Sequence, residues 1–432
     1  MSLITPELRE ALRDFAIKAR ECTVSDITDM QFARFRYHKG TAFEVSDAVI
    51  ESQREFIRRA IKKLGPDRGH GKVLAKALWD FAAAESDEHR INDRAVLDEA
   101  LKQIEETSAS ICEFFRPCPL VRLPSDVERI EIGRVIIEKS ESKVKELEKN
   151  KNNLRFIIGD DWGIGLNFEG EDVKCFASIP KTMWAIKLSA ADPLREEEAL
   201  WLVDISLTLL RLSVKRPDLG LLAPSLGDNE PHPFLLPDRS DHSLAILPNG
   251  TAEMGGLSTP NVYEITSEGG RAIHEPLTQR KIAMIFEPRA GSIAERFAQG
   301  CGWLTRGRRS KDRSDRLLYF FTAIEALLSD SDRSAPVVQT IARHSATLLS
   351  DEHEKREAIA RDVKNLYGIR SALVHAGKRG AYDIDCNSAQ LITELLYARI
   401  WSDIDLSISH RTLLDELGRA SYGSELRVPL RE

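Results

Sequence analysis

Arg370 and His375 are the two side chains of this sequence whose types and spacing suggest a shared chemistry. They lie five positions apart in Leu366-Tyr367-Gly368-Ile369-Arg370-Ser371-Ala372-Leu373-Val374-His375-Ala376-Gly377, just before the basic pair Lys378 and Arg379. A guanidinium stays charged and grips phosphate through two parallel hydrogen bonds, and an imidazole titrating near neutrality carries protons either way. Together they suffice for transphosphorylation of RNA by its own 2′-hydroxyl, with no metal and no covalent nucleophile. The spacing by itself is unspecific, since a surface arginine and a satisfied histidine recur at this separation by chance.

Other chemistries lack their residues. Gly69-His70-Gly71-Lys72 resembles the end of a phosphate loop, but Pro66 stands where the first glycine belongs and Val73 replaces the hydroxyl. Asp160 and Asp161 sit between two strand-like runs, where adjacent carboxylates are turn residues more often than an acid and base pair. Gly-x-Ser-x-Gly, His-Glu-x-x-His and EF-hand patterns do not occur, and the six cysteines form no CxxC pair. No cofactor and no metal site is expected, and the thiols are expected to be reduced.

The elements that must position Arg370 and His375 are helical. Leu317, Phe320, Phe321, Ile324, Leu327 and Leu328 form one apolar stripe, and a second helix begins at Pro336. A third spans about 352–367, and a fourth carries Leu391, Leu395, Leu396 and Ile400. Arg306, Arg308, Arg309, Lys311, Arg313 and Arg316 precede this bundle as a basic run, either a solvated linker or a surface that concentrates RNA.

Upstream, the period changes twice. Residues 1–124 are expected to be a helical region, with helices over Phe56–Leu64 and Val73–Phe81, closed by Pro117, Pro119 and Pro124. Ser125 and Glu128 suggest a capping box for a following helix. Residues 125–305 form a mixed α/β region. Its Lys- and Glu-rich connector (138–151) precedes a β-hairpin of Leu154–Ile158 with Ile164–Phe168 and strands at Val173–Ser178 and Met183–Leu188. A helix capped by Asp192 and started by Pro193 follows, and then a Pro-rich loop over 217–260. The expected class is a multi-domain α+β protein ending in an all-α bundle over 306–432.

Of 432 residues, 42% are apolar and 30% charged, the composition of a globular chain. The net charge of -7 excludes a protein coated in positive field, so any nucleic-acid site is local. Neither a secretory signal nor a run of about 20 uncharged residues is found, and a cytoplasmic protein without membrane association is expected.

The stretches Arg316–Leu328, Ile341–Leu349 and Tyr367–His375 resemble, in this order, the Apea-like branch of the HEPN superfamily. The resemblance covers 306–420, about a quarter of the chain. It implies a helical bundle, usually a homodimer, and in many members a metal-independent endoribonuclease of phage defence, toxin systems or RNA processing. It places the catalytic arginine on Arg370, the histidine on His375 and an acidic residue of the first bundle helix on Glu325, which as readily serves as an ion-pair partner for Arg370. RNA contacts are expected from Lys378, Arg379, Arg308, Arg309 and Lys311. Two positions depart from the family: Ser371 follows the arginine where Asn, Asp or His is frequent, and Gly377 replaces the tyrosine of nucleotidylated toxins. Residues 1–305 are then expected to sense a protein or phage-derived trigger or to restrain the bundle. The alternative is a catalytically silent module that binds RNA, nucleotide or protein.

Overall fold

A computed structural model describes residues 2–24, 35–65, 68–85, 88–108, 111–118, 121–149, 154–159, 163–169, 172–213, 243–248, 252–255, 263–310, 312–329, 337–377 and 380–426. The chain is mixed α+β and divides into two compact units, Met1–Phe114 with Lys187–Ala199 and Phe115–Ile186 with Leu200–Glu432. The expected boundary at 306 falls inside a helix, Ile293–Arg309.

The first unit is built on α1 (Pro6–Glu21), α2 (Asp47–Leu64), α3 (Gly71–Ala84), α4 (Glu88–Asn92) and α5 (Arg94–Ser108). Thr5 and Ser46 start α1 and α2 by accepting from Leu8 N and Val49 N, which satisfies donors that a helix N-terminus leaves open. Their apolar faces meet around Trp79, which packs edge-on to Phe15 at 5.2 Å and against Phe43 at 5.0 Å. The purely helical expectation misses a small sheet of β1 (Thr23–Val24), β2 (Phe35–His38) and β3 (Thr41–Glu44), ordered β1-β3-β2. Lys39 and Gly40, at φ 45° and 86°, turn β2 into β3 in the left-handed region that a tight hairpin requires.

The chain passes into the second unit within β4 (Ile111–Pro117), continues with β5 (Val121–Arg122), β6 (Arg129–Ile132), β7 (Val135–Lys139), α6 (Ser140–Lys149), β8 (Leu154–Gly159), β9 (Gly163–Glu169) and β10 (Asp172–Pro180), and leaves it within β11 (Thr182–Ser189). No helix follows Ser125: Pro124 to Val127 form a turn into β6, and Glu128 pairs with Lys139 on β7 at 3.0 Å. The hairpin is also differently composed. β10 lies between β8 and β9, parallel to the first and antiparallel to the second, so Leu154–Ile158 and Ile164–Phe168 are strands of one sheet that do not touch. Asp160 and Asp161 lie outside the described residues, as does most of the Pro-rich segment. Asp192–Leu194 is a 3-10 turn, with α7 (Arg195–Ser213) beginning after it.

Beyond β12 (Ser243–Ile246), β13 (Ala252–Gly255), β14 (Tyr263–Glu264), α8 (Ser267–His274) and α9 (Pro276–Phe286), the chain is helical: α10 (Ile293–Arg309), α11 (Arg313–Leu328), α12 (Val337–Leu349), α13 (His353–Ala376), α14 (Asp383–Asp403) and α15 (His410–Ala420). Helix α10 is central and carries three glycines at close approaches. A Cβ on Gly300 would lie 1.3 Å from the Tyr397 hydroxyl, one on Gly302 2.4 Å from Trp201, and one on Gly307 2.7 Å from Phe320. Its start is tied to the segment before α15: Ile293 N donates to Ile408 O at 2.9 Å, Ala294 N to Leu406 O at 3.0 Å, and His410 N to Gly291 O at 2.9 Å. Among the described residues, no helix is long and apolar enough to cross a membrane.

Candidate functional site

Helix α13 carries both motif residues. It continues without a break through Gly368, where a Cβ would meet nothing within 4 Å, and ends at Gly377 in the left-handed conformation at φ 59°. The helix therefore runs nine residues past the end of the predicted 352–367 span, and Arg370 and His375 sit in its last turns. Only Val363 and Leu366 of α13 are fully buried, which leaves much of its surface half-buried or exposed.

Arg370 faces α11. Its Nη2 donates to Glu325 Oε2 at 3.2 Å, and its guanidinium lies 5.3 Å from the centre of the Tyr367 ring, one helical turn earlier. Tyr367 in turn meets Phe321 of α11 edge-on at 5.6 Å. Burial, and then the neighbouring Glu325 carboxylate, push the Tyr367 phenol above its ordinary value, with Arg370 opposing. The side chains of Arg370 and Glu325 are 19% and 23% exposed, so the pair is partly shielded from water and still reachable. Among the described residues, Arg370 Nε and Glu325 Oε1 have no hydrogen-bond partner.

His375 does not join them. It is exposed, and among the described residues no hydrogen bond or ion pair engages it. Helix geometry explains the separation: residues five apart project about 140° from one another around the axis and lie about 7.5 Å apart along it. A phosphate held at the Glu325 side of Arg370 therefore faces away from the His375 of the same chain.

The basic residues divide differently. Arg308 and Arg309, expected on an RNA-contacting surface, lie on the last turn of α10 and face the interior. Arg308 pairs with Glu394 of α14, and Arg309 Nη1 with Asp204 Oδ1 of α7 at 2.7 Å. The basic run is helical up to residue 309, so 301, 304, 305, 308 and 309 share one buried face. Lys311, Lys378 and Arg379 lie outside the described residues.

Asp204 and Glu394 were not singled out as site residues by sequence reasoning. Asp204 is fully buried between Arg309 and Arg306, whose Nε donates to its Oδ2 at 3.1 Å. Burial pushes its carboxyl up, and Arg309 and Arg306 pull it down. The signal was present as the one acidic residue within the most apolar stretch of the chain, Leu200–Leu212. A charge in such a place requires a partner. No family model matches this chain, and no curated protein and no solved structure matches it either.

Proposed function

We propose that the chain is a metal-independent endoribonuclease with a HEPN-like bundle, acting in phage defence or toxin-type growth arrest. The observation that carries this reading is that the partly exposed Arg370 and an exposed His375, which no hydrogen bond or ion pair engages among the described residues, share the last turns of α13. Arg370 would stabilise the charge that grows on the phosphorane, and His375 would take the 2′-hydroxyl proton or protonate the leaving 5′-oxygen. Because the two side chains of one chain diverge, the reading includes a homodimer in which His375 of one protomer serves the phosphate held by Arg370 of the other. Val374, Tyr382 and Ile384, exposed on either side of residues 377–381, offer apolar surface for that pairing. The remaining chain would carry the sensor or restraint, in the cytoplasm.

A silent assembly module that binds RNA, nucleotide or protein is the second reading. It is favoured by the Glu325 contact, which already occupies Arg370 as a structural ion pair does. Incubation of the full chain with total RNA decides between them. The nuclease leaves 2′,3′-cyclic phosphate and 5′-hydroxyl ends, is insensitive to chelator, spares DNA, and fails on RNA with a 2′-O-methyl group at the cut. Products with 5′-phosphates, or activity restored to chelated protein by magnesium, would reject the mechanism. Absence of cleavage would leave the binding module.

A further inference from the structure

Away from Arg370, one arginine is held in place at its base and left open at its tip. Arg306 of α10 is 33% exposed, and its Nε is fixed by the buried Asp204. Its guanidinium lies 4.8 Å from the centre of the Trp201 ring and 5.2 Å from that of Trp303. Both rings are themselves constrained. Trp201 rests on the backbone at Gly302, where a Cβ would collide with it, and Trp303 lies at 25° to Tyr319 with ring centres 5.5 Å apart. Three contacts thus set the plane of one guanidinium, while its two Nη nitrogens have no partner among the described residues.

The charges around it do not balance. Among the described residues, Asp204 is the one carboxylate that pairs with Arg306 and with Arg309. Arg309 is 6% exposed and, among the described residues, bonds through Nη1, with its Nε and Nη2 buried and without a partner there. A buried guanidinium that is not fully neutralised is expensive, and such a site calls for an anion. A preorganised fork of two N–H donors matches phosphate oxygens, and half-buried indole and phenol rings beside it match a planar base.

We propose that Arg306 grips the phosphate of a nucleotide whose base stacks against the Trp303 and Tyr319 rings. This site is separate from the Arg370 region and does not depend on the nuclease reading. Free nucleotides and the nucleotides of an RNA strand share this chemistry, and the test separates them.

The full chain is titrated with inorganic phosphate, with AMP and with a 2′-O-methyl oligouridylate that cannot be cut, following tryptophan fluorescence and binding heat. AMP is expected to quench the tryptophans, and Arg306→Gln to weaken every phosphate-bearing probe by about tenfold or more. The fold should persist in that variant, because Arg309 still pairs Asp204. Trp303→Leu should weaken AMP and the oligonucleotide by about five- to tenfold and leave inorganic phosphate unchanged. An oligonucleotide that binds far more tightly than AMP identifies a strand, and equal binding identifies the free nucleotide. If Arg306→Gln does not fold, Arg306→Lys keeps the charge and loses the planar fork, and it should show the same direction of change. No response to any probe at millimolar concentration, or undiminished binding by the Arg306 variants, overturns the proposal. AMP binding untouched by Trp303→Leu overturns its nucleoside part.

Discussion

Arg370 engages Glu325 through one nitrogen and rests on Tyr367, whereas His375 is exposed and makes no hydrogen bond or ion pair among the described residues, so the two should respond differently to truncation. His375→Ala is expected to lower RNA cleavage by about 100- to 10,000-fold and to leave stability within about 0.5 kcal/mol of the parent. Arg370→Ala should abolish cleavage too, and in addition destabilise by about 1–3 kcal/mol, because the half-shielded Glu325 carboxylate loses its counter-charge. Chemical denaturation beside the cleavage assay checks both, and Arg370→Ala with unchanged stability would dissolve the ion pair as a structural element. In the first unit, burial acts to raise the Asp80 carboxyl, but hydrogen bonds from Lys39 and His38 outweigh it and hold it below the ordinary 3.8. A depressed carboxyl contributes stability above its unfolded value and loses it as pH falls through the folded one. The urea midpoints of the parent and Asp80→Asn should therefore differ at neutral pH and converge as pH drops below 3.8. A gap that persists at the acid end would mean that Asp80 acts by something other than its charge.

Two helices, α10 and α13, use glycine in opposite ways. On α10 the missing Cβ admits another side chain, so Gly300→Ala should drive Tyr397 from its place and destabilise by about 2–4 kcal/mol. On α13, Gly368 faces open space, so Gly368→Ala should stabilise by about 0.5–1 kcal/mol by restricting the unfolded chain. Thermal midpoints of the two variants check the contrast, and a destabilising Gly368→Ala would mean that α13 does not run unbroken through the motif. The same contrast explains what the sequence could and could not reveal. The stripe from Leu317 to Leu328 was legible because burial imposes its period, and α11 follows it. The continuation of α13 past Gly368 was not, because few residues there are buried and the period fades on a half-exposed helix. Strands β2 and β3 have four residues each, too few for alternation to separate them from helix. Arg308 and Arg309 looked like a solvated run because composition cannot show which charges have buried partners waiting on other helices. The contact between Arg370 and Glu325 matched one reading of Glu325 offered by the sequence, its part as an ion-pair partner.

With a net charge of -7, the molecule as a whole repels RNA, so the proposed RNA binding would rest on local arginines and weaken as salt screens them. If His375 and Arg370 act across a dimer, neither single variant is beyond rescue. Equimolar Arg370→Ala and His375→Ala chains, mixed and allowed to exchange, should recover about a quarter of the parent activity, since half the dimers would hold one intact pair. Light scattering should show the dimer at micromolar concentration, and a mixture that stays inactive despite exchange would place each pair within one chain. The backbone bonds that join the start of α10 to residues 406–410 also fix an order of events during synthesis. At roughly 5–20 residues per second, the acceptors of Ile293 and Ala294 leave the ribosome about 6–23 s after the amides that need them. Until then the first turn of α10 has no partner for those donors. The first turn of α10 thus closes onto its native acceptors only once residues 406–408 have emerged, more than a hundred residues after the amides that need them.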